Sequence, residues 1–301
     1  MPITPDQYAR RYRNLDVYVY TDEQAKQVKG VELPPGGSWR TVAVDRYRIG
    51  LKKKYGTTSN YVDVFKDKVR PYINQKGESI QVWIKDDVGT VTARTFFDRH
   101  SLFERAVDPF YGKGCPEEVQ ITLQLAMRYG VFPPDKLDTF CQNGNIGLDC
   151  NGFVGNYIRH VLNGVAWDSD VTKATRSEFN PSMLITSMVH KYRRLKTYED
   201  LRTFGRGTLI LAVSNEYGII KDHVKLADGT IAHGHIMITE PGTYRLEGEV
   251  PVIDVVESTG GEGLQTSRYR FITNKADPGV FTVERGVKHD SRMSVVVALV
   301  Q

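Results

Sequence analysis

The chain has 301 residues, 40% of them hydrophobic and 25% charged, with 40 Lys and Arg against 36 Asp and Glu for a net charge of +4. This is ordinary globular composition: it excludes disordered, collagen-like and disulfide-scaffold proteins, and so small a positive excess is far from a nucleic-acid footprint. At roughly 150 residues per domain the length predicts two domains, with enough chain to bury a core without metal or disulfide staples.

Residues 1–99 read as a β-rich N-terminal region or accessory module without nameable chemistry. Residues 15–20 alternate apolar and polar, as a half-buried strand does. Residues 38–44 and 80–85 read the same way, and 88–97 follow after an Asp87/Gly89 turn. Pro34-Pro35-Gly36-Gly37 marks a loop, and residues 61–70 form a short helix that Pro71 should end.

From Pro116 the texture changes. Pro116-Glu117-Glu118 opens a helix, since proline suits the first turn and carboxylates suit its positive end. Val119, Leu123, Ala126 and Met127 follow at helical spacing, and Gly130 closes the segment. A loop through Pro133-Pro134 and Asn143-Gly144-Asn145-Ile146-Gly147 then delivers the chain to Asp149-Cys150. Asp149 is a natural N-cap. Phe153, Val154, Tyr157, Ile158, Val161 and Leu162 make one apolar stripe, and Gly164 sits where the helix should end. The polar segment 164–180, with Trp167 and Arg176, reads as an insertion over a cleft, and a second helix is expected over 180–195. Strands follow at 208–213, at 231–239 after an Asp228-Gly229 turn, and at 250–258, 268–273 and 293–300. Helices followed by an antiparallel sheet predict an α+β fold over 100–301.

Three cysteines, Cys115, Cys141 and Cys150, are too few and too odd in number for a disulfide framework. The first residues lack the pattern of a secretory signal, and no apolar run approaches the ~20 residues of a membrane-spanning helix. The expectation is a soluble protein without a membrane span, cytoplasmic or exported by a non-standard route.

Cys150 stands apart because it opens a capped helix. The unpaired N–H groups and positive dipole end there stabilise a thiolate, and the same N–H groups can donate to an oxyanion. Gly152, two residues on, lets a substrate approach the backbone. A buried cysteine serving as a small hydrophobe is the structural alternative. Cys141 reads as a packed small residue, and Cys115 as a thiol that could be exposed.

The run Gly147-Leu148-Asp149-Cys150-Asn151-Gly152-Phe153-Val154 resembles the Asp-Cys-Ser-Gly-Phe/Leu-Val signature of the NlpC-type cell-wall peptidases, to which the CHAP amidases are related. Asn151 stands in place of the usual serine. The resemblance implies a papain-like catalytic domain with helices packed on an antiparallel sheet, and a cysteine, histidine and third polar residue in a triad. It further implies hydrolysis of amide bonds in peptidoglycan stem peptides, or a peptide substrate generally, with no cofactor. His235-Ile236-Met237-Ile238 is similar to the family's histidine strand, with Met237 where a small residue is usual; His233, on the same side of that strand, is the rival. The family's Gly-Asp-Leu appears as Gly207-Thr208-Leu209, without its aspartate. If 231–239 and 250–258 pair as a hairpin near Leu246, His235 falls beside Glu257, while Asp254 is the alternative from the opposite face. The family's oxyanion tyrosine corresponds approximately to Phe140, which cannot donate, leaving Gln142 or Asn143 together with the Asp149–Cys150 backbone.

A metal site drawn from Asp222, His223, His233 and His235 lacks a further spaced ligand pair, so no metal is expected. Gly260-Gly261-Glu262-Gly263 does not join a strand to a helix and reads as a loop at a cleft rim. Lys191, Arg193, Arg194 and Lys196 read as a solvated helix face. Two alternatives to a hydrolase share the fold: an inactive wall- or virion-associated protein, suggested by Asn151, Thr208, Met237 and the missing tyrosine, and an acyl-transferring or deamidating toxin.

Overall fold

A computed structural model describes residues 3–28, 32–48, 61–73, 80–96, 99–161, 193–214, 235–260, 262–273, 281–286 and 290–298. The chain is a mixed α+β protein with antiparallel sheets, divided into two compact units: residues 10–149, and residues 1–9 together with 150–301. The division falls at Asp149–Cys150 rather than near residue 100, and the first nine residues belong with the later unit.

The unit of residues 10–149 is not simply β-rich. Helix α1 (Pro5–Arg13) leads into it, followed by β1 (Leu15–Val19), α2 (Asp22–Ala25), β2 (Ser38–Val42), α3 (Tyr61–Ile73), β3 (Ile80–Lys85) and β4 (Val91–Phe96). Helices α4 (Arg99–Val107), α5 (Pro116–Arg128) and α6 (Leu137–Gln142) complete it. α3 contains Pro71 and runs on to Ile73, because the hydrogen bond that proline removes falls in the last turn. α2 was hidden by its shortness; Thr21 caps it by accepting from Gln24 N at 3.2 Å. β1 pairs antiparallel with β2, and β3 with β4.

α5 is buried from Glu118 to Met127, so even its polar residues need partners. Gln124 supplies one set: its Oε1 accepts from Trp83 N at 3.0 Å and its Nε2 donates to Trp83 O at 2.6 Å. Gln120, one helical turn earlier, repeats this with the backbone of Lys85, at 3.0 and 2.9 Å. Two side-chain amides thus stand in for a neighbouring strand along β3. Cys115, expected to be exposed, is only 2% so; its N–H donates to Glu118 Oε2 at 2.9 Å at the start of α5.

The second unit begins with α7 (Cys150–His160), then β5 (Arg193–Leu195) and α8 (Tyr198–Phe204). The sheet follows: β6 (Leu209–Ser214), β7 (His235–Thr239), β8 (Arg245–Glu247), β9 (Val250–Thr259), β10 (Gly263–Thr273), β11 (Phe281–Arg285) and β12 (Asp290–Ala298). Of the helix expected over 180–195, only 193–195 is described, and it is a strand paired with β12. Residues 164–180 and the Asp228-Gly229 turn lie outside the described residues. Thr259 at the end of β9 faces Gly263 at the start of β10, and Gly261 lies outside the described residues.

The strands pair in the order β10, β11, β12, β6, β7, β9, and β9 pairs again with β10, so the sheet curls round on itself. Its inner face carries Leu209, Leu211, Met237, Ile253, Val255, Tyr269, Phe271, Phe281 and Val283, a single buried cluster. α7 packs on β7 and β9. Residues 3–9 are stitched onto this unit by Asp6 N donating to Glu240 Oε2 at 2.8 Å and Tyr157 Oη donating to Ile3 O at 2.8 Å.

Candidate active site

Strand periodicity sets the site. The inward phase of β7 runs back from Met237 to His235, and that of β9 runs on from Ile253 and Val255 to Glu257. On β10 the same phase holds Ser267 and Tyr269, and on β11 it ends at Arg285 after Phe281 and Val283. One end of the apolar interior is therefore lined with polar groups.

Cys150, the first residue of α7, is 6% exposed, and its thiol interacts with the His235 ring. His235 Nε2 lies 2.8 Å from Glu257 Oε2, leaving Nδ1 for the thiol. Glu257 is 0% exposed and fully engaged. Its Oε2 also accepts from Tyr269 Oη at 3.0 Å, its Oε1 accepts from Arg285 Nε at 2.7 Å, and Ser267 further favours its charged form.

Burial would lower the His235 pKa, but the hydrogen bonds of Cys150 and Glu257, backed by their charges, push it up to about 9. Burial would likewise raise that of Glu257, yet hydrogen bonding and charge from His235, with Ser267 and Arg285, bring it down to about 2. Imidazolium and carboxylate are thus the favoured pair at neutral pH. In that state Nε2–H donates to Glu257 and fixes the ring, while the other nitrogen serves the sulfur. A thiol, an imidazole and a carboxylate in a row can form a nucleophile, move its proton and orient the carrier.

The expected register between β7 and β9 is off by two residues: Ile238 faces Val256 rather than Asp254. A slide of two preserves the faces, so Glu257 still meets His235. Asp254 is not the partner; it lies on the other face, 3.2 Å from an Arg245 nitrogen and 4.0 Å from Arg268 Nε. His233, Asp222 and His223 lie outside the described residues.

The loop before Cys150 is held within residues 10–149. Leu148 N donates to Arg46 O at 3.0 Å, Arg48 N to Leu148 O at 3.1 Å and Asp149 N to Gly112 O at 3.1 Å. The Asp149 carboxylate meets Lys113 Nζ at 2.5 Å. Gln142 ends α6 and Asn143 follows it, both exposed; Gly152 is buried in the first turn of α7. Phe140 is core, stacked on Phe132 at 4.0 Å. Cys141 is 1% exposed, and burial pushes its thiol up to about 12.

Sequence reasoning missed Tyr269 and Arg285. Their signal was present: each occupies an inward-phase position in an alternating strand, and a charged residue at such a position needs a buried partner. No family model, curated protein or solved structure matches the chain. Among the described residues, no helix is long and apolar enough to cross a membrane.

Proposed function

We propose that the chain is a cysteine hydrolase of papain-like type, cleaving amide bonds through Cys150, His235 and Glu257. The observation that carries this is the row itself: a thiol at a helix start, interacting with a histidine whose Nε2 lies 2.8 Å from a fully buried carboxylate.

The Cys150 thiolate attacks the amide carbonyl, forming a C–S bond and an oxyanion to which the helix-start N–H groups donate. The His235 imidazolium gives its proton to the leaving nitrogen as the C–N bond breaks, and the amine departs. Neutral His235 then takes a proton from water, whose oxygen attacks the thioester. The C–S bond breaks, releasing the carboxylic acid and restoring the thiolate–imidazolium pair. Glu257 holds the ring throughout.

The resemblance of residues 147–154 to the NlpC-type signature supports peptidoglycan stem peptides as substrate. Purified peptidoglycan fragments incubated with wild type and Cys150→Ala, followed by mass spectrometry, test this. New amide-cleavage products with wild type alone are expected. Identical spectra for the two proteins overturn the substrate, and failure of iodoacetamide to label Cys150 stoichiometrically overturns the nucleophile.

A further inference from the structure

Glu257 does more to His235 than an amide would do in its place. It orients the ring, but it also sets a full negative charge 2.8 Å from Nε2 in a position without solvent exposure. Charges interact strongly there because little water screens them. Left alone, that carboxylate would hold the imidazolium proton too firmly for efficient delivery to a leaving amine.

Arg285 meets the oxygen of Glu257 that His235 does not. Its Nε donates to Oε1 at 2.7 Å, while His235 Nε2 lies at Oε2. The strand phase fixed by buried Phe281 and Val283 turns Arg285 inward, and its outer end donates to Glu262 Oε2 at 2.7 Å. Glu262 is in turn held by Gln265 Nε2 at 2.6 Å. From α7, β7, β9, β10 and β11, the titratable groups facing the ring and its carboxylate are therefore Cys150, Glu257, Tyr269 and Arg285, with Glu262 outside at 62% exposure.

We propose that Arg285 is a positioning residue that neutralises Glu257, so that the carboxylate orients His235 as a neutral amide would and leaves the imidazolium acidic enough to act as a proton donor. Imidazolium, carboxylate and guanidinium then alternate in sign, with His235 on one oxygen of Glu257 and Arg285 on the other. The catalytic consequence rests on the hydrolase reading; the electrostatic effect is measurable without turnover.

The test is a carbon-13 histidine NMR titration of the full chain, with the His235 resonance assigned by its loss in His235→Asn. Arg285→Gln is expected to move the His235 midpoint upward by about one pH unit. Arg285→Lys, which keeps the charge, stays near the wild-type midpoint. In a Glu257→Gln background Arg285→Gln moves it by about a third as much or less, because the charge to be neutralised is gone. Should Arg285→Gln not fold, Arg285→Met, which leaves no polar tip to bury, carries the same expectation. An unchanged or lowered midpoint, or an equal shift in the Glu257→Gln background, overturns the proposal. Loss of peptidoglycan cleavage as a function leaves these midpoints intact, so the two failures are separable.

Discussion

Lys113 Nζ lies 2.5 Å from Asp149 Oδ2, with the two side chains only 4% and 12% exposed, and this ion pair ends one residue before Cys150. Removing one member leaves a charge in a site built for two. Lys113→Met is expected to cost about 3–5 kcal/mol in urea unfolding, whereas Lys113→Met with Asp149→Asn recovers most of that loss. Equal destabilisation by the single and double variants would contradict this account.

Gly112 has φ of 74°, and a Cβ there would meet Arg48 O at 2.1 Å and Asp149 N at 2.8 Å. Gly242 has a similar φ of 79° with nothing within 4 Å. Gly242→Ala should therefore show the left-handed penalty alone, about 1 kcal/mol. Gly112→Ala should lose several-fold more, because backbone rather than a flexible side chain must move. Thermal melting of the two variants checks the difference.

The His235–Glu257 pair makes stability depend on pH from both sides. The folded His235 pKa, about 9, is above its ordinary 6.5, so its contribution is complete below pH 6.5 and is lost as pH rises through 9. The folded Glu257 pKa, about 2, is below its ordinary 4.5, so its contribution is complete above pH 4.5 and is lost as pH falls through 2. Urea midpoints for wild type should fall between pH 6.5 and 9, and this slope should flatten in His235→Asn.

Tyr157 Oη donates to Ile3 O, and the Tyr8 ring packs edge-on against Tyr157 at 5.7 Å. Tyr157→Phe keeps the ring contact and removes the bond, a change worth about 1 kcal/mol. Hydrogen exchange at the Tyr8 amide, which bonds Thr4 O, should quicken roughly fivefold while the Ile238 amide is unaffected.

Much of this was legible where a single element carries the signal. The apolar stripe of α7 and the alternation of β7 and β9 follow from side-chain period, and an error of two residues in register did not disturb which face Glu257 occupies. Arg285 was missed although its inward phase was there, because no strand was expected over 281–285, and its reach to Glu257 depends on β11, β10 and β9 lying side by side. The short helix α2 and the strand at 193–195 were missed for the opposite reason, being too short for any period to show. The resemblance to a family signature drew attention to Cys150 and His235, while Glu257 came from strand arithmetic.

Residues 1–9 fold with residues 150 onward, and the stretch between forms the other unit. During synthesis, therefore, residues 1–9 wait for their place while some 140 intervening residues emerge and can fold ahead of them. The unit that carries Cys150 can consequently be completed only after the other has been made. Its two parts come from stretches of chain made well apart in time.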